Sequence, residues 1–360
     1  QSTWRISLSR RRSCLHELDP SERCPACDGG GVKHVLLLTL DFPPACIGGV
    51  SAWASDLADT LHDAGHAVTV LAKKNGDTRQ YDQGKPYTII RVIGRSWARW
   101  QSLWMRIASA PHIRNDTLVI AATWPLVPRL LSVVRRQNAT LAVAFHGSEI
   151  TTLRERPQPL IEVMDTAHLL LPVSQFLRTE LIRLGAEDNE HRMRVLPMPL
   201  QVEIPPDIRE RKNLICVARP TNRKGIDRAI NIAKLMGENL DLVGPTTGPP
   251  GTVAHGPLPR AQTLELMQEA KAIILTPRAN EEGLGEEGLG LVLLEAAARG
   301  VPAIGCYTGG VPEAVGPGLL LTDPENPSAQ ELRNWLQDTS NAVRAIAWVR
   351  ENHGPKRCLQ

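Results

Sequence analysis

The stretch EEGLGEEGLGLVLLEAAARGVPAIG, residues 281–305, contains the pentapeptide EEGLG twice and then a long apolar run. The run near 291–299 predicts a helix, and PAIGC at 302–306 predicts a short buried strand. An acidic, glycine-containing loop that leads into a helix and a strand is typical of an α/β domain. The duplication places four glutamates before the helix, and the rest of the chain decides which of them carry chemistry.

Strands and helices alternate along the rest of the chain. Short apolar runs predict parallel strands at 34–40, 67–72, 117–123, 140–146, 167–174, 214–218, 240–244 and 272–277. Apolar residues at helical spacing, as in 48–65, predict the connecting helices. The alternation stops at 195–213, where four prolines fall within ten residues, and then restarts. The predicted fold is α/β, with two Rossmann-like parallel-sheet domains that face an interdomain cleft, where ligands bind.

Length and composition agree with a globular two-domain protein. The chain has 360 residues, of which 42% are hydrophobic and 22% charged. A net charge of +3 is too small to indicate a nucleic-acid partner. The sequence shows no apolar run of about 18 residues and no apolar signal-peptide segment. Seven cysteines, an odd number scattered along the chain, favour a reducing cytoplasm over a disulfide framework.

Residues 1–31 stand apart from this body. They are polar and basic and end in a glycine run, which indicates a disordered leader. The segment also holds Cys14, His16, Cys24 and Cys27, which are residue types that bind zinc. A zinc ribbon needs two well-spaced pairs, and only one CxxC pair is present. The leader interpretation is therefore preferred to a zinc site.

Two loops at predicted strand ends have residues suited to phosphate. The glycine pair, Gly48 and Gly49, precedes a helix, so that backbone can approach an anion, although a plain tight turn has the same pattern. This loop lacks the GxGxxG spacing of dinucleotide-binding proteins. In VARPTNRKG (217–225), Arg219 and Lys224 can grip a pyrophosphate, and solvated loop charge is the alternative.

One histidine and two glutamates complete the candidate site. His146 ends a predicted strand at the sheet edge where ligands bind, although a packed histidine is the alternative. Counting eight positions forward, only Glu287 among the four glutamates reaches another glutamate, Glu295. Both carboxylates can then accept hydrogen bonds from the hydroxyls of one elongated ligand. The amides between them would point at a phosphate from the helix N-terminus. They belong to Gly288, Leu289, Gly290, Leu291 and Val292.

Taken together, the segments resemble the retaining GT-B glycosyltransferases of family four. The resemblance covers residues 34 to about 350. It rests on FPPACIGGV, FHGSE, LPVSQFLRTEL, VARPTNRKG and EEGLGLVLLEAAARGVPAIGCYTGGVPEAV. The glutamate-rich segment looks most like the phosphatidyl-inositol mannosyltransferase branch. The resemblance implies transfer of a hexose from a nucleotide sugar to a hydroxyl acceptor, with retention and without a metal ion or other cofactor. GDP-mannose is the first donor expected and a UDP-hexose the second, and a lipid-linked acceptor is typical of the branch.

The resemblance also implies a role for each candidate residue. Glu287 would contact hydroxyls of the donor sugar, and Glu295 would hold the ribose. Arg219 and Lys224 would hold the diphosphate, and the glycine pair would lie near the phosphates and the acceptor. His146 would lie near the transferred sugar. Each of these assignments follows from the family motifs, and the residue types agree with it.

The chain departs from the family pattern in three places. It has HGSE at 146–149 where many relatives have HGHE, PMPL at 197–200 where they have Asn-Gly-Val, and a short C-terminal segment. These departures bear on acceptor choice and domain closure more than on donor binding. Two alternatives from other classes are a GT-B sugar-nucleotide 2-epimerase and a non-catalytic sugar-nucleotide binding subunit.

The predicted organisation has five parts. They are a disordered leader (1–31), an acceptor domain (32–198), a linker (199–212), a nucleotide-sugar domain (213–335) and a curtailed C-terminal helical segment (336–360). Arginine and tryptophan interleave in RVIGRSWARWQSLWMRI, residues 91–107. This pattern suits an anionic membrane surface, and equally a surface helix whose tryptophans pack inward. The expected location is the cytoplasm, with contact at the inner face of the membrane.

Overall fold

The computed structural model describes residues 34–44, 48–93, 105–155, 157–200, 211–279 and 287–359, without the side chain of residue 148. The predicted leader and its zinc candidates lie outside these residues. Most of the predicted linker and most of the tryptophan-rich segment lie outside them as well.

The first domain is built on a six-stranded parallel sheet. Its strands are β1 (His34–Thr39), β2 (Ala67–Lys73), β3 (Thr88–Val92), β4 (Thr117–Ala121), β5 (Thr140–Phe145) and β6 (Leu169–Pro172). The spatial order is β3-β2-β1-β4-β5-β6. This is the doubly wound order of Rossmann folds, in which ligands bind where the strand order reverses, here between β1 and β4.

The second domain repeats this topology. Its strands are β7 (Asn213–Val217), β8 (Leu240–Val243), β9 (Thr252–Gly256), β10 (Ala270–Ile274), β11 (Ala303–Cys306) and β12 (Leu319–Leu321). The order β12-β11-β10-β7-β8-β9 places the corresponding reversal between β7 and β10. The predicted α/β fold with two Rossmann-like sheets is confirmed.

Helices connect the strands and cover both sheets. In the first domain they are α1 (Gly49–Asp63), Arg79–Gln83, Leu131–Gln137, Ser148–Glu155, Gln158–Thr166 and Gln175–Leu181. In the second they are Ile226–Met236, Arg260–Gln268, Leu291–Ala297, Val311–Val315, Ala329–Gln337, Ser340–Asn352 and Pro355–Cys358. Apolar strand residues are buried on both sheet faces, as in Leu36, Leu37 and Leu38, each at 0% exposure. Burial on both faces explains why these strands are continuous apolar runs in the sequence.

Three of the twelve strands in the described ranges were not predicted. They are β3, β9 and β12, and each lies at an edge of its sheet. Their side chains are mostly partly buried; β3 and β9 contain polar residues, and the apolar strand β12 is only three residues long. The other nine coincide with predicted runs, with ends that differ by a few residues.

The sequence pattern of residues 91–107 indicates one segment with an arginine- and tryptophan-rich surface, and the structure corrects this interpretation for Arg91. Arg91 lies in strand β3, its side chain is 7% exposed, and its guanidinium pairs with Asp82 at 2.6 Å. It therefore does not belong to an exposed cationic helix face. Residues 94–104 lie outside the described part of the chain. None of the helices within the described ranges has the length and apolar character that a membrane crossing requires.

The C-terminal segment returns to the end of the first domain. The amide of Gly354 donates to the carbonyl of Met198 at 2.7 Å, and the amide of Met198 donates to Nδ1 of His353 at 3.2 Å. The ring of His353 also packs edge-on against Trp348, with ring centroids 5.3 Å apart. These contacts join the last helices to the segment that leads into the linker.

Candidate active site

The loop after β7 carries the predicted cationic pair. Arg219 lies two residues beyond the strand and is exposed, and Lys224 ends a short 3-10 turn. The next residue, Gly225, has a φ of 62°, and a Cβ there would overlap with the carbonyl oxygen of Thr276. Glycine thus lets the turn lie directly against the segment that follows β10. This approach brings Lys224 to the loop that carries Glu287.

Lys224 and Glu287 form an ion pair between Nζ and Oε2. Their side chains are 15% and 14% exposed, and Nη1 of Arg223 lies 3.7 Å from the same carboxylate oxygen. The family resemblance implies that Lys224 contacts the diphosphate of a donor and that Glu287 contacts its sugar. In this structure the two side chains contact each other. The guanidinium of Arg219 makes no hydrogen bond or ion pair with the described residues. A phosphate that binds here would therefore meet one unpaired cation and one paired cation.

The backbone of Gly288 connects this loop to the first domain. Its carbonyl accepts a hydrogen bond from Oγ of Ser174 at 2.6 Å. A Cβ at Gly288 would overlap with the carbonyl oxygen of His146 and would lie 3.3 Å from Cδ1 of Leu177. The loop therefore approaches the first domain so closely that a residue with a side chain would force backbone to move. This contact places the Glu287 loop against the end of β5.

The helix that carries Glu295 begins immediately after this loop. Gly290 precedes it with a φ of 93°, and the amide of Leu293 donates to the carbonyl of Gly290 at 2.9 Å. Leu289 is buried, whereas Leu291 and Val292 are partly buried. The structure thus has the predicted order of loop, glycine and helix N-terminus.

The glycine pair faces the start of this helix from the first domain. Gly48 is extended, with φ 163° and ψ 159°, and α1 begins at Gly49. A Cβ on Gly49 would lie 3.7 Å from Cδ2 of Leu291, across the cleft. The glycine pair and the helix N-terminus predicted to bind phosphate are therefore close to each other. Residues 45–47, which precede the glycine pair, lie outside the described residues.

His146 lies at the end of β5, facing α1. Its ring packs edge-on against Trp53, with centroids 5.0 Å apart. Its Nε2 is buried and has no hydrogen-bond partner among the described residues. Burial lowers the pKa of His146 to about 4, although a hydrogen bond with the backbone of Ala122 acts in the opposite direction. The imidazole is therefore neutral at pH 7, and its buried Nε2 leaves one hydrogen-bonding position unfilled among the described residues.

The low pKa of His146 predicts acid-sensitive stability. The unfolded chain takes up this proton near pH 6.5 and the folded chain only near pH 4, so stability is full above 6.5 and falls as the pH drops toward 4. The loss reaches about 2.5 kcal/mol at a pH of about 4.5. We expect His146→Gln to remove a loss of this size, measured by urea unfolding at both ends of this interval. The exposed His191→Gln serves as the control, and an unchanged pH dependence in His146→Gln would contradict the prediction.

Two carboxylates that sequence reasoning missed support this architecture. Glu149 is fully buried and accepts hydrogen bonds at Oε2 from the amides of His146, at 3.0 Å, and Gly147, at 2.7 Å. It therefore fixes the turn that carries His146, and its place in the HGSE segment was the available signal. Glu313 of the second domain accepts hydrogen bonds from the amides of Gln175 and Phe176 at 2.7 and 2.6 Å. It caps a helix of the first domain, because unpaired amides at a helix N-terminus favour a carboxylate.

Glu295 makes a contact that the sequence did not reveal. Nε of Arg260 donates to Oε1 of Glu295 at 2.7 Å, and the two terminal nitrogens of the same guanidinium donate to the carboxylate of Asp56, each at 2.7 Å. Burial raises the pKa of Glu295, and the charge of Arg260 opposes this rise. Asp56 lies on α1 of the first domain, so this ion-pair triad spans the cleft.

A cavity of about 400 Å³ lies next to the cationic loop. It is bounded by the segments that follow β7 and β8, which are the carboxyl ends of two neighbouring parallel strands. Its lining residues are Pro220, Thr221, Asn222, Ile226, Asp227, Gly244, Pro245, Thr246 and Thr247. The cavity lies at the carboxyl edge of the sheet, where doubly wound folds bind ligands, and borders the reversal of strand order between β7 and β10 on the β8 side.

No group of three histidine, cysteine, aspartate or glutamate side chains suited to a metal ion occurs in the part of the chain that the structure describes. The cysteines and the histidine of the leader lie outside that part. Cys216, Cys306 and Cys358 are free thiols.

Two family models match most of the second half and nearly half of the chain, respectively, and several known proteins are similar to it. Residues 47–203 match the family described as Glycosyltransferase Family 4, and residues 250–350 match the family described as Glycosyl transferases group 1. The GDP-mannose-dependent monoacylated alpha-(1-6)-phosphatidylinositol monomannoside mannosyltransferase of Corynebacterium glutamicum is 26% identical over 352 residues, which cover 85% of this chain and 89% of that protein.

Two further proteins extend the comparison. The GDP-mannose-dependent alpha-(1-6)-phosphatidylinositol monomannoside mannosyltransferase of Mycobacterium tuberculosis is 26% identical over 334 residues, covering 79% of this chain and 83% of that protein. The structure of Alr3699/HepE from Anabaena, in complex with UDP and glucose, superposes with a TM-score of 0.70 at 18% identity, covering 91% of this chain and 97% of that one. The chain therefore belongs to the family 4 glycosyltransferases (glycosyl transferases group 1) and has their GT-B fold.

Proposed function

We propose that this glycosyltransferase moves a hexose of the mannose or glucose type from a nucleotide sugar to a hydroxyl acceptor, with retention of anomeric configuration and without a metal ion. The observation that carries the proposal is the Lys224–Glu287 ion pair beside the exposed Arg219. It lies at the reversal of strand order between β7 and β10, where this topology binds nucleotides. There, cations can face a diphosphate while a carboxylate faces sugar hydroxyls.

The donor we propose first is GDP-mannose. Two relatives with 26% identity are named as GDP-mannose-dependent enzymes that act on phosphatidylinositol monomannosides. UDP-glucose ranks second, since the Anabaena structure was obtained with UDP and glucose. In either case the carboxylate of Glu295 binds the two ribose hydroxyls, and the cavity of about 400 Å³ beside the cationic loop receives part of the nucleotide.

Charge stabilisation of the leaving group drives the proposed reaction. As the bond between the anomeric carbon and the phosphate oxygen breaks, negative charge grows on the nucleoside diphosphate. Arg219, Lys224 and the amides at the start of the helix Leu291–Ala297 can each stabilise that charge, by ~3–4 kcal/mol for a well-placed donor. Lys224 leaves Glu287 to do so, and Glu287 then accepts hydrogen bonds from the sugar hydroxyls.

Retention follows from attack on the face from which the leaving group departs. The acceptor oxygen bonds to the anomeric carbon on that face, and the departing phosphate takes the acceptor proton. His146 has no partner at Nε2 among the described residues and is neutral, so it orients a sugar hydroxyl without adding charge.

The acceptor in this proposal is a lipid-linked hydroxyl compound at the cytoplasmic face of a membrane. The named substrates of the relatives are phosphatidylinositol mannosides. The exposed Ile93 and Ile107, at 74% and 53%, flank a segment that contains Trp97, Trp100 and Trp104. Tryptophan and aliphatic side chains beside arginines suit the interface of an anionic bilayer.

Turnover and thermal unfolding with a panel of GDP-, UDP- and ADP-sugars test the proposal. A donor that binds only the folded state raises the unfolding free energy by about 2.7 kcal/mol at a concentration of 100 Kd. Glycosidic product from GDP-mannose or a UDP-hexose supports a transferase. Free epimerised sugar would indicate the 2-epimerase instead, and stabilisation without turnover would indicate a binding subunit.

Glu287 and Glu282 form a matched pair for testing the register of the duplicated pentapeptide. We expect Glu287→Gln to lower kcat about tenfold to thirtyfold, because charge-assisted hydrogen bonds to sugar hydroxyls are lost. Glu282, which lies outside the described residues, has no glutamate eight positions ahead, and Glu282→Gln should change kcat by less than about twofold. Steady-state kinetics with the identified donor measures both, and the reverse ranking would show that the first pentapeptide carries the functional carboxylate.

A further inference from the structure

The guanidinium of Arg260 uses two separate edges to bind carboxylates from both domains. Its terminal nitrogens form two hydrogen bonds with Asp56, and its Nε forms one with Glu295, all at 2.7 Å. This planar fork fixes the orientation of both partners at once, which a lysine ammonium cannot do. Arg260 begins the helix Arg260–Gln268, so its own backbone is anchored in the second domain.

Burial makes this triad sensitive to the loss of any member. Asp56 and Glu295 are 8% and 5% exposed, whereas the side chain of Arg260 is 34% exposed. Removing Arg260 would leave two carboxylates buried without this partner, a strongly unfavourable arrangement. Arg260 therefore defines the position that the Glu295 carboxylate takes in the cleft.

The arrangement leaves part of Glu295 for a ligand. Arg260 occupies Oε1, and Oε2 accepts no hydrogen bond within the described part of the chain. A carboxylate has about four acceptor positions, so hydrogen bonds from hydroxyls can be added while Arg260 stays bound. The guanidinium and a ribose can thus bind Glu295 together.

We propose that Arg260 is a positioning residue that orients Glu295 toward the ribose of the donor, and that its two hydrogen bonds to Asp56 make this orientation depend on the first domain. The inference rests on the proposed function, since it assumes a nucleotide in the cleft. Asp56 lies on α1, which begins at the glycine pair facing Leu291. The same helix therefore borders the start of the phosphate-facing helix and supports the ribose carboxylate.

Ribose selectivity distinguishes this role from a purely structural one. The probes are GDP and 2′,3′-dideoxy-GDP, with UDP and its dideoxy counterpart in parallel, measured by calorimetric titration. The wild-type protein should bind the ribose form on the order of 30-fold more tightly, because a carboxylate accepts both hydroxyls. Arg260→Met and Arg260→Lys should reduce this ratio to less than about fivefold. The exposed Arg136→Met is the matched control and should keep the wild-type ratio.

The role of Asp56 is tested by a double-mutant cycle. Asp56→Asn should reduce the ribose selectivity, and it should have no further effect in the Arg260→Met background. An Asp56→Asn effect of equal size in both backgrounds would overturn the interdomain part of the inference. Equal weakening of ribose and dideoxyribose nucleotides in Arg260→Lys, with an unchanged ratio, would overturn the positioning role. If the wild-type protein binds none of the four nucleotides, the proposed function itself fails, and the inference fails with it.

Discussion

Lys224→Ala is expected to lower kcat by about a thousandfold, with a much smaller change in KM for the donor. The ammonium lies beside the Glu287 carboxylate, at the point where the leaving diphosphate would gain charge. A preorganised donor at such a position contributes about 10²–10³ in kcat, and the stronger charge of an ammonium favours the upper end. Because the charge grows during bond cleavage, the loss appears in turnover more than in ground-state binding.

The measurement is initial-rate kinetics with the donor identified by the screen. Lys224→Arg retains the charge and the contact with Glu287, so it should recover part of the activity. Lys234→Ala removes an exposed lysine from the far end of the helix Ile226–Met236 and should have wild-type kinetics. Wild-type turnover in Lys224→Ala would refute the assigned role of the ammonium.

The places of the candidate site residues in the fold could be predicted because they depend on local sequence and on topology. A continuous apolar run predicts a buried central strand, and the residues that follow the run then lie at the carboxyl end of that strand. This logic placed His146 after β5, and Arg219 and Lys224 after β7. It also placed Glu295 in the predicted helix, here Leu291–Ala297, and Glu287, eight positions earlier, in the loop before that helix.

The contacts among these residues could not be predicted, because they depend on how distant segments approach one another. Asp56 and Arg260 are 204 residues apart, and neither belongs to a motif that distinguishes it from a surface charge. Glu313 does lie in a family segment, GGVPEAV, but its partners at Gln175 and Phe176 are in the other domain and could not be read from that segment. Charge type in a sequence shows what a residue can bind, but it does not show which partner occupies it when no ligand is present.

Arg91 illustrates the opposite error, in which a surface pattern was extended into a strand. Its spacing from the tryptophans of 91–107 resembled a helical face, yet it lies in the edge strand β3 and pairs with Asp82. Strand β3 lies at the edge of its sheet and contains a polar residue among its apolar ones. Its arginine could therefore be counted with the following arginines and tryptophans as one helical pattern. The ion pair between Arg91 and Asp82 is a tertiary contact, and the spacing of residues in the sequence does not reveal it.

Gly288→Ala is expected to lower kcat/KM by about a hundredfold or more, because the added methyl group prevents the approach of the two domains. A Cβ at this position overlaps with the carbonyl oxygen of His146, which is backbone and cannot turn aside. The loop must shift, and with it the hydrogen bond from Ser174 to the Gly288 carbonyl and the position of Glu287. A displacement of about 1 Å in a positioned catalytic group can cost 10²-fold in rate.

The control for this prediction is another glycine to which a methyl group can be added freely. At Gly84 the nearest atoms to a new Cβ lie at 3.5 and 3.6 Å, an ordinary contact distance, so Gly84→Ala should retain wild-type kinetics. Urea unfolding of Gly288→Ala should show a loss of roughly 1–3 kcal/mol, as expected for overpacking against backbone. If Gly288→Ala has wild-type activity and stability, the close contact between the Glu287 loop and the end of β5 is not required for catalysis. In that case the two domains must react in a more open arrangement, with the Glu287 loop farther from the end of β5 than in this structure.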